Sequence, residues 1–89
     1  MDRRDYLIEK LEQFLPIVER VHGEHHEEIY KVGNYFNEIT DKLKSGKTNN
    51  LNKDFEMIRK LTNNYEVPDD VCESYESVYE MLEELEKTL

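Results

Sequence analysis

Apolar residues recur every three or four positions along most of the chain, and this spacing limits the possible folds more than any other feature. The four runs are Leu7, Leu11, Phe14, Val18 and Val21; Ile29, Val32, Phe36, Ile39 and Leu43; Leu51, Phe55, Ile58 and Leu61; and Val71, Tyr75, Val78, Leu82, Leu85 and Leu89. Because a helix turns once in about 3.6 residues, each run forms one apolar stripe along a helix. Such stripes pack side by side, so the pattern predicts an all-α fold.

Residues that favour the beginning or end of a helix separate the four stripes. Asp2 is suited to cap the first helix, and Gly23 follows the first stripe and can end it. Thr48 or Asn49 is placed to cap the third helix. Pro68 is predicted at the first position of the last helix, where its missing N–H has no helical partner to lose.

These signals predict a compact up-down-up-down four-helix bundle in a single domain, residues 1–89. The predicted helices span about 3–21, 25–45, 50–64 and 68–88. The alternative is a dimer of three-helix chains whose long, kinked first helix continues through Gly23 to about residue 45, since glycine inside a helix costs only about 1 kcal/mol. Pro16 is expected to kink the first helix without breaking it, because the stripe keeps its phase across the proline.

Charge and composition exclude several classes of function. The 89 residues include 12 Lys and Arg against 21 Asp and Glu, which gives a net charge of −9. Nucleic acid and anionic membrane surfaces would repel such a chain, and no apolar run is long enough to span a bilayer. The single cysteine, Cys72, indicates a reducing compartment, and we expect a cytoplasmic protein.

The candidate metal ligands are His22, His25 and His26, which are the only histidines and lie within five residues. Three glutamates stand among and beside them, and imidazole with carboxylate suits Zn or Fe. Since one local run rarely supplies a complete ligand set, the other interpretation of this cluster is a solvated turn between helices.

Cys72 and the tyrosines are interpreted as structural residues. Cys72 is predicted to be buried or half-buried as a packing residue, and no catalytic cysteine–histidine arrangement is predicted. The six tyrosines are predicted at the core and its rim, with their hydroxyls reaching water.

Two stretches resemble a known family. The residues 21–29, Val-His-Gly-Glu-His-His-Glu-Glu-Ile, resemble the V-H-G-x-x-H-P-E-L segment of the hemerythrin-like RIC (repair of iron centres) proteins. The residues 58–75, from Ile-Arg-Lys-Leu-Thr to Val-Cys-Glu-Ser-Tyr, resemble that family's I-R-x-L-T-x-x-Y-x-x-P-x-x-A-C-x-x-[YW] segment. The resemblance implies a four-helix bundle that holds two irons through inward-facing His and Glu, and a role in the repair of iron–sulfur centres.

The chain departs from this family at most of the positions that hold iron. No histidine precedes His22, residues 39–46 lack the family's H-x-x-x-E-E, and residues 47–49 lack its E-H-D. The final H-x-x-x-E-N has no counterpart before Leu89. A di-iron site needs about six or seven ligands from four helices, so we expect a family-like scaffold with a degenerate metal site and no cofactor.

The expected function is therefore binding without catalysis. The partner is expected to be another protein or a second copy of the chain, in a context of iron–sulfur cluster repair or stress response. A partner with a basic patch would suit the net charge of −9. The alternatives are a single Zn or Fe ion bound by the cluster from His22 to His26, and a residual repair activity.

Overall fold

The first helix has the predicted cap and nearly the predicted bounds. The computed structural model describes residues 2–48 and 50–89, and helix α1 spans Arg3–His22. The Asp2 carboxylate accepts a hydrogen bond of 2.9 Å from the Asp5 N–H, which satisfies a free donor at the helix start. The helix continues through Pro16 without a break.

A turn separates α1 from helix α2, which spans Glu28–Ser45. Gly23 ends α1 with a right-handed backbone (φ −60°), so its conformation does not require glycine. The lack of space around it does require glycine, because a Cβ at this position would collide with the Tyr30 hydroxyl and the Glu19 carbonyl oxygen. The alternative with one continuous helix through Gly23 is therefore wrong.

Helices α2 and α3 are joined by a short turn at Gly46, whose φ of 75° is left-handed and suits glycine. Helix α3 spans Leu51–Leu61 and follows Asn50, whose side chain makes no capping hydrogen bond. Thr48 therefore does not cap α3, and Asn49 lies outside the described residues.

The connection between α3 and helix α4 is longer than predicted, and α4 spans only Glu73–Thr88. Helix α3 stops at Leu61 because Asn63, Asn64 and Tyr65 all have left-handed backbones, with φ from 52° to 64°. Pro68 lies in this connection, so the prediction that it begins the last helix is wrong. The helix begins after the extended residue Cys72 instead.

The described residues form an all-helical fold of four helices, as predicted, with no strand among them. Helix α1 packs mainly on α4 and α2 mainly on α3, and contacts between α1 and α2 join the two pairs. Helices α1 and α4 are antiparallel, because Arg3 pairs with Glu84 at one end and His22 meets Cys72 at the other. No helix in the described part of the chain has the length and apolar character needed to cross a membrane.

The core follows the predicted stripes with one shift in α1. The buried apolar residues are Leu7, Leu11, Leu15, Val18, Ile29, Val32, Phe36, Ile39, Phe55, Ile58, Tyr75, Val78, Tyr79, Leu82 and Leu85. Leu15 is buried although it was not assigned to the stripe, whereas Phe14 is half-buried and Val21 is 59% exposed. The apolar face of α1 therefore extends beyond what the core covers.

Candidate functional site at the loop end

One end of the fold, formed by residues 22–28 and 62–75, collects the residues with the most reactive side chains. We call it the loop end. His22 is the last residue of α1 and Cys72 immediately precedes α4. Because the two helices are antiparallel, His22 Nε2 lies 3.1 Å from Cys72 Sγ. The loop end thus places an imidazole nitrogen beside an accessible thiol.

The His26 ring lies between two carboxylates, one at the start of α2 and one in the connection before α4. Its Nε2 lies 3.0 Å from Asp70 Oδ1, and its Nδ1 lies 3.3 Å from Glu28 Oε1. The contact with Asp70 ties the connection before α4 to the turn after α1.

The third predicted site residue lies apart from the other two. His25 is exposed in the turn, and its backbone N–H donates to the His22 carbonyl oxygen at 3.1 Å. The rings of His22 and His26 both pack edge-on against Tyr75, with centroid distances of 5.4 and 5.6 Å. The structure therefore brings His22 and His26 together around Tyr75 and leaves His25 on the outside.

A buried pair of tyrosines lies beneath the histidines. Tyr75 and Tyr79 have 0% and 1% of their surface exposed, and their hydroxyl oxygens are 2.9 Å apart. The Tyr75 hydroxyl also donates to Glu28 Oε1 at 3.5 Å. These tyrosines occupy the core, as predicted for some of the six, but their hydroxyls bond to each other and to Glu28.

Burial raises the pKa of three tyrosines. The pKa of Tyr75 rises mainly through burial and also through the bond with Tyr79, and burial raises the pKa of Tyr79. Burial raises the pKa of Tyr65 from 10.0 to about 12, although the nearby Arg59 charge opposes the shift. Each phenol therefore resists ionisation in the folded state.

These shifts predict a loss of stability in alkaline solution. Well below pH 10 the tyrosines are neutral in both states and this contribution to stability is complete. As the pH approaches and passes 10, the unfolded chain loses tyrosine protons that the folded chain retains, so the free energy of unfolding falls until the pH passes the folded pKa, about 12 for Tyr65.

The test is the urea midpoint between pH 9 and 12. Tyr65→Phe is expected to lessen the fall, whereas Tyr30→Phe, at a side chain 47% exposed, is expected to leave it unchanged. Six tyrosines that all titrate near pH 10 in the folded protein would contradict the prediction.

The prediction that Cys72 is a buried or half-buried packing residue is wrong, because its side chain is exposed. Nothing in the sequence indicated its contact with His22. The two residues are separated by 50 positions, so only the path of the 62–72 connection brings them together. A thiol beside an imidazole can ligate a soft metal or act as a nucleophile with an adjacent base.

The residues present do not fit the di-iron centre that the family resemblance implies. All three histidines lie at the loop end, and the core interior holds apolar side chains and the tyrosine pair. Among the described residues, Asp54 is the one carboxylate that is buried, and Lys42 pairs with it. Within residues 2–48 and 50–89, no group of three His, Cys, Asp or Glu side chains is arranged to hold a metal ion.

Comparison of the chain with protein-family models, curated proteins and solved structures finds no match, so the likeness to the RIC proteins stays a prediction.

Proposed function

We propose that this protein is a metal-free, hemerythrin-like up-down-up-down bundle that acts by binding another protein or a second copy of itself and not by catalysis. The observation that carries the proposal is the buried contact between Tyr75 and Tyr79, whose hydroxyls are 2.9 Å apart. In a di-iron bundle, inward positions on the helices carry His and Glu ligands. Here two inward positions of α4 carry aromatic rings that fill the space between the helices.

We further propose that the protein is a relative of the RIC proteins and functions in cytoplasmic iron–sulfur cluster repair or stress response. The two stretches that resemble this family are far apart in sequence, yet they meet at the loop end. His22 contacts Cys72 and His26 contacts Asp70, and each contact joins one stretch to the other. This meeting supports a shared architecture in which the scaffold is retained and the iron ligands are replaced.

The metal-free state is tested by adding iron under reducing, anaerobic conditions to protein purified without an affinity tag. A ligand that binds only the folded state raises the melting temperature, so a protein without an iron site shows no shift. We expect no shift and, after the sample is then exposed to air, no ultraviolet absorption band from bridged ferric iron. A stable complex with two irons per chain and a raised melting temperature would overturn the proposal.

A second candidate function is the binding of one Zn or Fe ion at the loop end. The approach of Cys72 Sγ to within 3.1 Å of His22 Nε2 favours it, because zinc binds thiolate sulfur and imidazole nitrogen readily. In this case His22 and Cys72 would be the protein ligands, and water would complete the coordination. His26, held between Glu28 and Asp70, would orient the loops around the ion.

Cobalt substitution separates this candidate from the first, since a cobalt–thiolate bond gives an ultraviolet charge-transfer band. If the site exists, the band and a rise in melting temperature appear together, and both are lost in Cys72→Ser and in His22→Ala with His26→Ala. His25→Ala is the matched control and retains both. A protein that shows neither signal with zinc or cobalt does not use the loop end for metal.

A further inference from the structure

A groove between α1 and α4 runs parallel to the helix axes on one side of the molecule. It encloses about 400 Å³. Its α1 wall consists of Arg3, Tyr6, Leu7, Lys10 and Phe14, and its α4 wall consists of Ser77, Glu80, Met81 and Glu84. No part of the proposed binding function has so far been assigned to this surface, and we call it the α1/α4 face.

The α1 wall continues as an apolar stripe toward the loop end. Tyr6, Ile17 and Val21 are 41%, 43% and 59% exposed, and Phe14 is half-buried. Positions separated by 3, 4, 7, 8 or 11 residues return to nearly the same side of a helix, so these four side chains protrude in one row. The α4 wall includes the small side chain of Ser77.

The two walls also carry opposite charges. Arg3 and Lys10 lie on the α1 wall, 5.1 and 5.8 Å from the Tyr6 ring centroid, whereas Glu80 and Glu84 lie on the α4 wall. Arg3 pairs with Glu84 of the same chain, so Lys10 and Glu80 are the charges that each wall offers to a partner. Glu12 and Glu19 of α1 line a different groove, toward α2. The α1/α4 face is therefore locally balanced in charge, on a chain whose net charge is −9.

We propose that a second copy of the chain covers this face, with α1 of each copy lying over α4 of the other. A two-fold axis parallel to the helices produces this arrangement, and every contact then occurs twice. The protruding, basic α1 wall of one copy meets the small, acidic α4 wall of its partner. This inference rests on the proposed binding function and names its partner; a basic protein would complement only one of the two walls.

The size of the face suits a reversible dimer. The 16 residues of α4 extend about 24 Å, and two helices side by side are about 20 Å wide. The face then contributes about 500 Å² per copy, and the total of about 1,000 Å² lies at the lower limit for specific interfaces. We expect association in the micromolar range.

Charge exchange at Lys10 and Glu80 tests this arrangement by sedimentation at concentrations of about 100 μM. Lys10→Glu places like charges opposite Glu80 at both contacts, and Glu80→Lys places like charges opposite Lys10. Each variant alone is expected to weaken dimerisation at least about tenfold. An equimolar mixture restores both opposite-charge contacts in a heterodimer, and its association is expected to return close to that of the native chain.

Control variants separate the effect of this face from that of net charge. Glu12→Lys changes the net charge as Glu80→Lys does but lies in the groove toward α2, and Lys53→Glu matches Lys10→Glu on the exposed side of α3. Both controls are expected to dimerise normally. Ile17→Asp introduces a charge into the stripe and is expected to give monomers with an unchanged helical circular dichroism spectrum.

The single cysteine reports the direction of packing. With α1 over α4, nitroxide labels on the two Cys72 residues lie at the same end of the dimer, closer than the 36 Å length of the molecule. A packing of α1 over α1 places them at opposite ends. A chain that remains monomeric, a mixture that fails to restore association, or labels at opposite ends would each overturn the proposal. None of these results depends on iron, so they leave the metal-free function to its own test.

Discussion

Replacing Tyr75 by alanine is expected to lower the free energy of unfolding by about 3–5 kcal/mol, because it empties a fully buried aromatic site. Small domains are stable by only about 5–15 kcal/mol, so this change removes a large fraction of the total stability. The Tyr75 ring packs against Tyr79, His22 and His26, and its loss also removes the support beneath both histidines. Urea denaturation followed by circular dichroism measures the effect.

Tyr75→Phe is the matched control, because it keeps the ring and removes only the hydroxyl. It deletes the bonds to Tyr79 and Glu28, and we expect a loss of about 1–2 kcal/mol. If Tyr75→Ala lowers the free energy of unfolding by less than about 1 kcal/mol, this ring is not part of the core. That result would also remove the observation on which the proposed function depends.

Replacing Lys42 by methionine is expected to lower the free energy of unfolding by about 3 kcal/mol, since it leaves a buried carboxylate without a counter-charge. Asp54 is only 5% exposed, and its Oδ2 lies 2.6 Å from Lys42 Nζ. The pair joins the end of α2 to the first turn of α3. The change in urea midpoint gives the magnitude.

The double variant Lys42→Met with Asp54→Asn separates the pair from simple packing. Removing both charges eliminates the unpaired carboxylate, and most of the lost stability is expected to return. Lys44→Met, at an exposed position two residues further along, is the control and is expected to change stability by less than about 0.5 kcal/mol. A Lys42→Met variant as stable as this control would contradict the assigned pairing.

The four helices were predictable because their stripes are local. The prediction of which α1 residues face the core was less accurate, for a geometric reason. Alternating spacings of four and three average 3.5 residues, and such a row drifts about 20° around the helix every seven residues. The row that begins at Leu7 has therefore turned toward solvent by Val21. In the middle of the helix, Leu15 is buried in place of the predicted Phe14.

The α3–α4 connection, and with it the loop end, was not predictable from local signals. Asparagine adopts the left-handed backbone more readily than most residues, which suits Asn63 and Asn64, but nothing in the sequence places Tyr65 in that conformation as well. The Thr62 hydroxyl accepts the Tyr65 N–H at 2.9 Å, and the Tyr65 hydroxyl donates to Glu86 at 2.8 Å. The first of these bonds is local, but the second is a tertiary contact that fixes the connection against α4.

Native mass spectrometry of the untagged protein, combined with metal analysis, tests the metal-free binding function most directly. It reports the number of subunits and the bound ions in the same measurement. We predict unmodified chains of 10.8 kDa, alone and in pairs, with no stoichiometric iron. A mass increase that corresponds to two irons per chain would contradict this account.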